Sequence, residues 1–226
     1  MPNQHENHHN GAKVTTTNKK SSSQKLTRHE IKEKILSAAI TEFSQKSFSG
    51  ASTQAIAERA GLKKSQLHYY IEDKEALYSE VLGCLFKAWK RFFEFDKQLE
   101  TSPTDILRNY ILMKLNFTFE NPELSRIFTS EILSGGQRLE DFWPDAMSSA
   151  KVNIDVINSW CTSGQIRPLD GRLLLMNIWA LTQYYADYAL QAERLLENSL
   201  QDKTQQKEII DEISTFILLG CGIFEP

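Results

Sequence analysis

Apolar residues recur at helical spacing through most of the chain, and this period limits the folds that are open to it. Ile31, Ile35, Ala39 and Phe43 follow one another every four residues, which predicts an amphipathic helix that ends near Ser47. The same period returns in long segments of the second half, and no alternating run indicates a strand. With only 10 Gly and 6 Pro, the chain also lacks the turn residues of an all-β fold. The sequence therefore predicts an all-α protein.

The first 24 residues differ from the rest because they contain almost no apolar side chain. Such a segment cannot bury enough surface to offset the entropy of ordering it, so we expect residues 1–24 to form a disordered tail. His5, His8 and His9 could bind a metal, but we favour a solvated tail and expect neither a metal nor another cofactor. Order is predicted to begin at Thr27, which has the capping-box spacing to Glu30.

Later helices are bounded by capping residues and prolines. Asp73 is a candidate cap for a helix that runs to about Phe95. Prolines lie between the following helical segments, where a residue without an N–H group is tolerated, at Pro103, Pro122, Pro144 and Pro168. Long helices are predicted at 104–120, 145–163, 170–198 and 203–220.

The segment 52–71 has the pattern of two short helices joined by a sharp turn. Ala57 is small enough to lie where two helices cross, and Gly61 can adopt the left-handed backbone that such a turn needs. Ser52 or Thr53 can cap the first helix. Apolar side chains that can face inward across the pair are Ile56, Ala60, Leu62 and Leu67. The spacing therefore predicts a helix-turn-helix over this segment.

The second helix of this pair presents a polar and basic face. Gln suits the edges of bases, and Lys and Tyr suit phosphates. Lys74 begins the next helix, where the helix dipole disfavours a cation, and a phosphate partner would account for it. A hairpin whose basic face is only solvated is the alternative, but the spacing of the segment favours DNA binding. The exposed set is Lys63, Lys64, Gln66, His68, Tyr69 and Tyr70.

Charge and cysteine usage narrow the class of protein further. Residues 1–75 carry 12 Lys and Arg against 8 Asp and Glu, whereas the remainder carries 14 against 21. A basic head on an acidic body suits a nucleic-acid reader. The three cysteines lie far apart without a CxxC pair, which fits a reduced, cytoplasmic setting. No segment has the character of a signal peptide or a membrane helix, so we expect a soluble protein without membrane association.

The head resembles the TetR family of transcriptional repressors. The resemblance covers residues 27 to about 85 and is carried by Ile56-Ala57, Ala60-Gly61-Leu62, Leu67, Tyr69-Tyr70 and Asp73-Lys74-Glu75-Ala76-Leu77. It implies a homodimer with a three-helix, helix-turn-helix DNA-binding head over residues 25–72. It also implies a larger helical body for ligand binding and dimerisation over residues 73–226, which holds an inducer. The family's DNA contacts fall on Thr53, Lys64, Ser65, Gln66, His68, Tyr69, Tyr70 and Lys74. Lys63, His68 and Ile71 depart from the family's pattern, so an operator preference cannot be carried over.

The body is similar to a member of that family that regulates pyrimidine utilisation. The similar segments are 121–128, 160–166 and 178–189. This resemblance implies a pyrimidine base, such as uracil or thymine, as the effector.

The same resemblance implies a ligand pocket that includes Trp89, Trp179 and Gln183. The last two lie four residues apart and share one helix face. Gln offers a donor and an acceptor to a uracil-like edge, and Trp offers a surface for stacking. Lys114 and Tyr184 are further candidates for this cavity. The alternative is that Trp179 fills the core and Gln183 is a satisfied interior amide.

The helix around residue 180 and the last helix both keep apolar faces. Two such helices from each subunit could form a four-helix dimer interface, and an intrachain core is the alternative. A dimer would place two recognition helices about 34 Å apart, in successive major grooves. The apolar residues are Ile178, Leu181, Tyr185 and Tyr188, with Ile209, Ile210, Ile213, Phe216 and Ile217 in the last helix.

The sequence as a whole predicts a ligand-responsive regulator, with repression expected, that binds a palindromic operator as a dimer. The second hypothesis is a helical small-molecule-binding protein or enzyme that does not read DNA. The chain contains no P-loop, glycine-rich dinucleotide turn, HExxH or nucleophile elbow, so we predict that it is not an enzyme.

Overall fold

A computed structural model describes residues 27–90, 95 and 102–224, and the predicted tail at 1–24 lies outside this range. The described residues form ten α-helices and one short 3-10 turn, Gln137–Leu139, without a strand among them. The all-α prediction is therefore confirmed. The helices are α1 Arg28–Gly50, α2 Thr53–Arg59, α3 Lys64–Tyr70, α4 Lys74–Lys90, α5 Pro103–Glu120, α6 Pro122–Leu133, α7 Trp143–Thr162, α8 Gly171–Asp187, α9 Ala189–Leu196 and α10 Lys203–Gly220.

The predicted capping residues begin the helices of the head. Thr27 accepts from the backbone N of Glu30 at 3.2 Å, and the Glu30 carboxylate accepts from the Thr27 backbone N at 2.6 Å, which completes the capping box. Ser52 caps α2 through the backbone N of Ala55, at 3.1 Å. Asp73 caps α4 through the backbone N of Ala76, at 2.7 Å.

Three helix boundaries differ from the prediction. α1 continues to Gly50, but it is interrupted at Ser47, whose φ of 56° and ψ of 177° are not helical. The predicted helix 170–198 is two helices, because the backbone bends at Tyr188 and α9 leaves at a new angle that buries Ala192. α6 is a separate helix that begins at Pro122, in the first-turn position that proline favours.

Two apolar cores support these helices. The head core joins α1, α2 and α3 to α4, and it also receives Ile127 from α6 and Leu139 from the 3-10 turn. The body core joins α5, α7, α8 and α10, and Leu85, Trp89 and Phe117 form a small cluster of their own. The head is therefore packed directly on the body rather than tethered to it.

The apolar face predicted for the dimer needs a correction. Ile178, Ile209, Ile213 and Ile217 are buried within the protomer, in the body core. Helical spacing identifies an apolar face, but it does not identify what covers that face, and here the intrachain core accounts for most of it. Two members of the predicted face, Tyr188 after the end of α8 and Phe216 in α10, do lie at the surface, and so do Leu173, Met176 and Leu219.

Within the described ranges, no helix combines the length and the apolar character needed to cross a membrane.

Candidate DNA-reading face and ligand cavity

The turn between α2 and α3 is built as the sequence predicts. Gly61 has a φ of +72°, in the left-handed region that glycine adopts without a Cβ penalty. The backbone N of Leu62 donates to the carbonyl of Ala57 at 2.8 Å, which closes the end of α2. Ile56, Ala57 and Leu67 are fully buried, so these two short helices are held against α1.

The outer side of α3 presents polar groups to solvent. Tyr69 is 72% exposed, and it packs edge-on against Tyr70 with the ring centroids 5.3 Å apart. Among the predicted DNA contacts, Thr53 and Tyr70 are half-buried at the edges of this surface. The structure brings the exposed members together on one helix and its N-cap, and these are Lys63, Lys64, Ser65, Gln66, His68 and Tyr69. We call this set, with Thr53 and Tyr70, the α3 face.

Gln66 helps to cap the N-terminus of α3. Its side-chain carbonyl accepts from the backbone N of Lys63 at 2.8 Å, which is one half of a capping box. Lys63 is the N-cap residue of α3, and its ammonium group cannot accept the reciprocal bond. The amide nitrogen is therefore the part of the Gln66 side chain that remains for a base edge.

Arg28 joins this surface although the sequence analysis did not include it. It is the first residue of α1, and its guanidinium lies over the Tyr69 ring at 5.8 Å from the centroid. The contact links residues that are 41 positions apart in sequence, so helical spacing alone could not reveal it. Arg28 adds a cation beside the exposed tyrosine of the α3 face.

Lys74 has a different partner from the phosphate expected for it. Its ammonium group donates to the carbonyls of Phe48 and Ala51 at 2.9 and 3.1 Å, and it lies 4.3 Å from the centroid of the Phe48 ring. Phe48 lies in the last turn of α1, just after the interruption at Ser47, and Ala51 is the C-cap residue of that helix. A phosphate is therefore not needed to explain why this cation is at the start of α4.

A cavity of about 250 Å³ lies among α4, α5, α6, α7 and α8. Four of the five predicted ligand residues line it, namely Trp89, Lys114, Trp179 and Gln183. The rest of the lining is mostly aromatic and aliphatic and consists of Phe86, Phe128, Trp143, Ala146, Met147, Ala150, Asn153 and Ala180. Tyr184 is not part of it, which corrects the predicted set. Its hydroxyl donates to Gln191 at 3.0 Å, and its ring stacks on Tyr188.

Gln183 is fixed in the cavity wall by its own amide group. The amide nitrogen donates to the carbonyl of Ser125, to Thr129 Oγ1 and to Asp187 Oδ1 at 3.0–3.1 Å. A backbone carbonyl can only accept, so these partners determine which end of the amide is the nitrogen. Burial raises the pKa of Asp187, while its bonds from Gln183 and Thr129 lower it, and the net direction is upward.

Lys114 brings a cation to a mostly apolar wall, in which Asn153 and Gln183 are neutral polar side chains. Its ammonium group lies 5.5 Å from the centroid of the Trp89 ring, within cation–π range. The Lys114 side chain is half-buried and borders the cavity, so it is partly removed from water. This desolvation lowers the pKa of Lys114 to about 8.

Trp179 is held in place by a partner in α5. Its indole nitrogen donates to the Tyr110 hydroxyl at 2.7 Å, and burial raises the pKa of Tyr110. The indole donor is therefore used within the protein, and the ring itself is what Trp179 offers to the cavity.

Helix α6 connects this cavity with the head. Phe128 lines the cavity, and Ser125 and Thr129 accept from Gln183 on the same side of the helix. On its other side, Ile127 enters the head core, and Ser130 donates to the Ser47 hydroxyl at 2.8 Å. A displacement of α6 would therefore change contacts both in the cavity wall and in the head core.

A buried carboxylate fixes α6 to α4. Glu131 is 2% exposed, and it accepts from the Tyr78 hydroxyl at 3.1 Å and from the backbone N of Arg138 at 3.2 Å. The Arg138 guanidinium lies 3.7 Å from the same carboxylate and pairs with Glu75 at 2.9 Å. It also lies over the Phe48 ring, 3.7 Å from the centroid, so this ring contacts two cations. Burial and the Glu131 charge raise the pKa of Tyr78, which keeps its proton on the shared bond.

Two regions of the chain, one short and one long, match two parts of one protein family. Residues 35–81 match the family described as bacterial regulatory proteins, tetR family, and residues 79–223 match the YcdC-like protein, C-terminal region, of TetR type. The chain belongs to the TetR family.

Individual relatives of the TetR family agree with this assignment. RutR of Escherichia coli strain K12, an HTH-type transcriptional regulator, is 35% identical over 193 residues, which cover 84% of this chain and 89% of RutR. The structure of HlyIIR, a hemolysin II transcriptional regulator, is similar with a TM-score of 0.61 at 24% identity, over 82% of this chain and 98% of HlyIIR. AibR in complex with isovaleryl coenzyme A and operator DNA has a TM-score of 0.65 at 14% identity, over 83% of this chain and 97% of AibR.

TetR-family membership establishes the class of function. The chain is a DNA-binding transcriptional regulator that is similar to RutR, and the proteins of this family that it matches are regulators rather than enzymes. The prediction that it is not an enzyme is therefore confirmed. The two solved structures are less than 25% identical to the chain, so they support its fold alone.

The buried carboxylate generates a prediction about stability. We expect Tyr78→Phe to lower the free energy of unfolding by about 1–3 kcal/mol, because Glu131 would lose a donor and stay buried. Chemical denaturation measures this change. Tyr184→Phe is the matched control, because its hydroxyl bonds an exposed amide, and we expect a loss below about 0.5 kcal/mol. Equal losses in the two variants would show that the Tyr78 bond does not stabilise the junction.

Proposed function

We propose that this TetR-family protein binds a palindromic operator as a homodimer and changes its affinity for that operator when a pyrimidine base, such as uracil or thymine, enters the cavity. Repression released by the effector is the proposed direction, and the cytoplasm is the proposed location. The observation that carries the proposal is that one small cavity, lined mostly by aromatic and aliphatic side chains, holds Trp89, Trp179 and Gln183 and is joined to the head through α6. Its volume of about 250 Å³ suits a small metabolite rather than a drug-sized ligand.

The α3 face is the proposed DNA-binding surface. A recognition helix enters the major groove with its polar side chains toward the base edges, and cations beside it bind phosphates. Lys64 and His68 are exposed on α3, and Arg28 adds a cation beside Tyr69. We propose that the head over 25–72 performs this task, with Ser65, Gln66 and the other members of the α3 face.

The exposed apolar residues of α8 and α10 form the proposed dimer surface. Met176 is 49% exposed and Phe216 64% exposed, and Leu173, Tyr188 and Leu219 are also at the surface of these helices. Large apolar side chains that cluster at a surface favour association with another surface. Pairing of these helices between two copies would give a four-helix interface and hold two heads at a fixed spacing.

The structural change caused by ligand binding would be transmitted to the head through α4 and α6. A ligand shifts an equilibrium only by its different affinity for two states, so the cavity must change shape between them. Trp89 and Phe128 place one side chain from each of these helices in the cavity wall, and Tyr78 and Glu131 hold the helices together nearer the head. We propose that the effector favours a position of the pair in which the two heads no longer match successive grooves.

DNA binding by the α3 face is tested with Lys64→Ala. The probe is an operator obtained by selecting a random duplex library against the wild-type protein. We expect several-fold weaker binding and a salt dependence whose slope falls by about 1, because one phosphate contact is lost. Fluorescence anisotropy over a range of salt concentrations measures both quantities.

Lys151→Ala is the control for this experiment. Lys151 is exposed on α7, away from the α3 face, and we expect its replacement to leave affinity and slope unchanged. If the wild-type protein enriches no sequence from the duplex library, the proposal that it binds a specific operator is wrong. Equal behaviour of Lys64→Ala and wild type would remove Lys64 from the interface.

Effector binding is tested with Gln183→Leu. We expect this variant to lose the thermal stabilisation that uracil or thymine gives to the wild type, and to keep its affinity for the operator. The reason is that leucine offers no polar group to a ligand edge. Gln191→Leu, at an exposed amide in α9, should keep the wild-type shift. A shift that survives in Gln183→Leu would place the ligand elsewhere.

A further inference from the structure

Arg138 contacts three parts of the chain at once, at the junction of head and body. It lies in the 3-10 turn between α6 and α7, and its side chain is 30% exposed. Its Nε donates to Glu75 of α4 at 2.9 Å, and a terminal nitrogen lies 3.7 Å from the buried carboxylate of Glu131 in α6. The guanidinium also lies over the Phe48 ring of α1, 3.7 Å from its centroid. One planar group therefore links three helices.

The turn that carries Arg138 is itself fixed in place. Leu139, the next residue, is fully buried in the head core. The backbone N of Arg138 donates to the Glu131 carboxylate at 3.2 Å. Gly136 has a φ of 69°, in the left-handed region, and its backbone N donates to the carbonyl of Glu131 at 2.9 Å. The guanidinium is therefore carried by an anchored backbone.

Phe48 is the point at which this guanidinium meets the head. The α1 backbone leaves helical geometry at Ser47, and α2 already begins at Thr53. The other cation on the ring is Lys74, 4.3 Å from the centroid. Because α2 and α3 pack with α1 in the head core, a change in the position of this part of α1 would be carried to α3.

Two hydrogen bonds between α1 and α6 each join only two side chains. Thr41 donates to Glu123 at 3.0 Å, and Ser130 donates to Ser47 at 2.8 Å. A single bond of this kind permits rotation about its own axis. A guanidinium that lies over a ring and is bonded at its edge is restricted in more than one direction. Arg138 therefore limits the orientation of the head on the body more than either bond does.

We propose that Arg138 determines which spacing between two operator half-sites the protein accepts. By fixing α1 against α4 and α6 in each protomer, its guanidinium holds the two α3 faces at one separation and one relative orientation. This inference rests on the proposed function, a homodimer on a palindromic operator, and it gives a residue outside the α3 face a part in selecting DNA. Arg138 acts as a positioning residue and not as a DNA contact.

The physical reason is that a rigid dimer fits two half-sites only if their separation matches its own. One turn of DNA is about 34 Å long, so one base pair inserted at the centre moves the half-sites apart by about 3.4 Å and rotates them by about 34°. With fixed heads, distortion of the DNA must absorb this mismatch, which costs affinity. Heads with more freedom absorb it at a lower cost, but they bind the matched operator less well because that freedom is lost on binding.

Fluorescence anisotropy with a set of duplexes tests the inference. The parent duplex is the operator that the wild type selects from a random library, and the others have one base pair inserted or deleted at its centre. For the wild type, we expect either change to weaken binding at least about tenfold. For Arg138→Met, the same change should weaken binding only about twofold, and the parent duplex should bind a few-fold less tightly than to the wild type. The ratio of two affinities from one sample does not depend on the fraction of folded protein, so lower stability alone would not alter it.

A second variant and a control accompany Arg138→Met. Arg138→Lys keeps a cation beside the buried Glu131, which protects the fold if the methionine variant is unstable. Lysine is a compact charge without the planar fork, so we expect the same reduced spacing penalty. Arg126→Met is the matched control. This half-buried arginine of α6 donates to the Ala186 carbonyl of α8 at 3.4 Å, within the body, and its loss should leave the wild-type spacing penalty unchanged.

The outcomes separate this inference from the proposed function. A wild-type spacing penalty in both Arg138 variants would overturn the positioning role while the palindromic operator stands. Equal weakening on every duplex, with a salt slope lower by about 1, would mean that Arg138 contacts a phosphate, and would also overturn it. So would an equally reduced penalty in Arg126→Met, because the effect would not depend on the contact with Phe48. A wild type that selects no operator, or that binds every spacing equally, would overturn the proposed dimer on a palindromic operator and the positioning role with it.

Discussion

The bond between Tyr78 and the buried carboxylate of Glu131 is the interaction on which the rest of the architecture depends. A carboxylate that is 2% exposed is costly unless its oxygens are bonded, and here a phenol, a backbone N–H and a guanidinium provide the partners. Because the partners come from α4 and from the 3-10 turn after α6, the carboxylate holds these elements in one arrangement. α4 and α6 also have aromatic side chains in the cavity wall. The two helices that contact the head core therefore also border the cavity.

This arrangement suggests why the α1 backbone is strained where it meets α6. Ser47 has a φ of 56°, which a residue other than glycine adopts at a cost of about 1–3 kcal/mol. The residue receives the bond from Ser130, and the next residue, Phe48, lies between the Lys74 and Arg138 cations. The strain is thus located in the contact between head and body, where a shift of α6 would change its cost. A ligand-responsive regulator needs two conformations of similar free energy. A strained contact in one conformation raises its free energy and so reduces the free-energy difference between the two.

The sequence predicted the head more completely than the cavity. The residues that form the head turn are close neighbours in sequence, whereas the cavity residues come from distant segments. The α2–α3 turn depends on Ala57, Gly61 and Leu67, which are close neighbours whose spacing can be read directly. The cavity residues Trp179 and Gln183 could be proposed because they share a helix face and resemble a relative. Tyr184 was predicted with them, but its hydroxyl bonds Gln191 and it is not part of the cavity lining. Contacts between distant segments, such as Arg28 with Tyr69 and Glu131 with Tyr78, leave no local pattern and were not predicted.

We propose that ligand binding in the cavity is transmitted to the head through α4 and α6. Amide hydrogen exchange, measured by mass spectrometry on the DNA-free protein with and without saturating uracil, tests it most directly. We expect protection to change not only in α5, α7 and α8 around the cavity but also in α6, Pro122–Leu133, and in the part of α1 that contacts it near Ser47. Changes confined to α5, α7 and α8, with α6 and α1 unaltered, would contradict it.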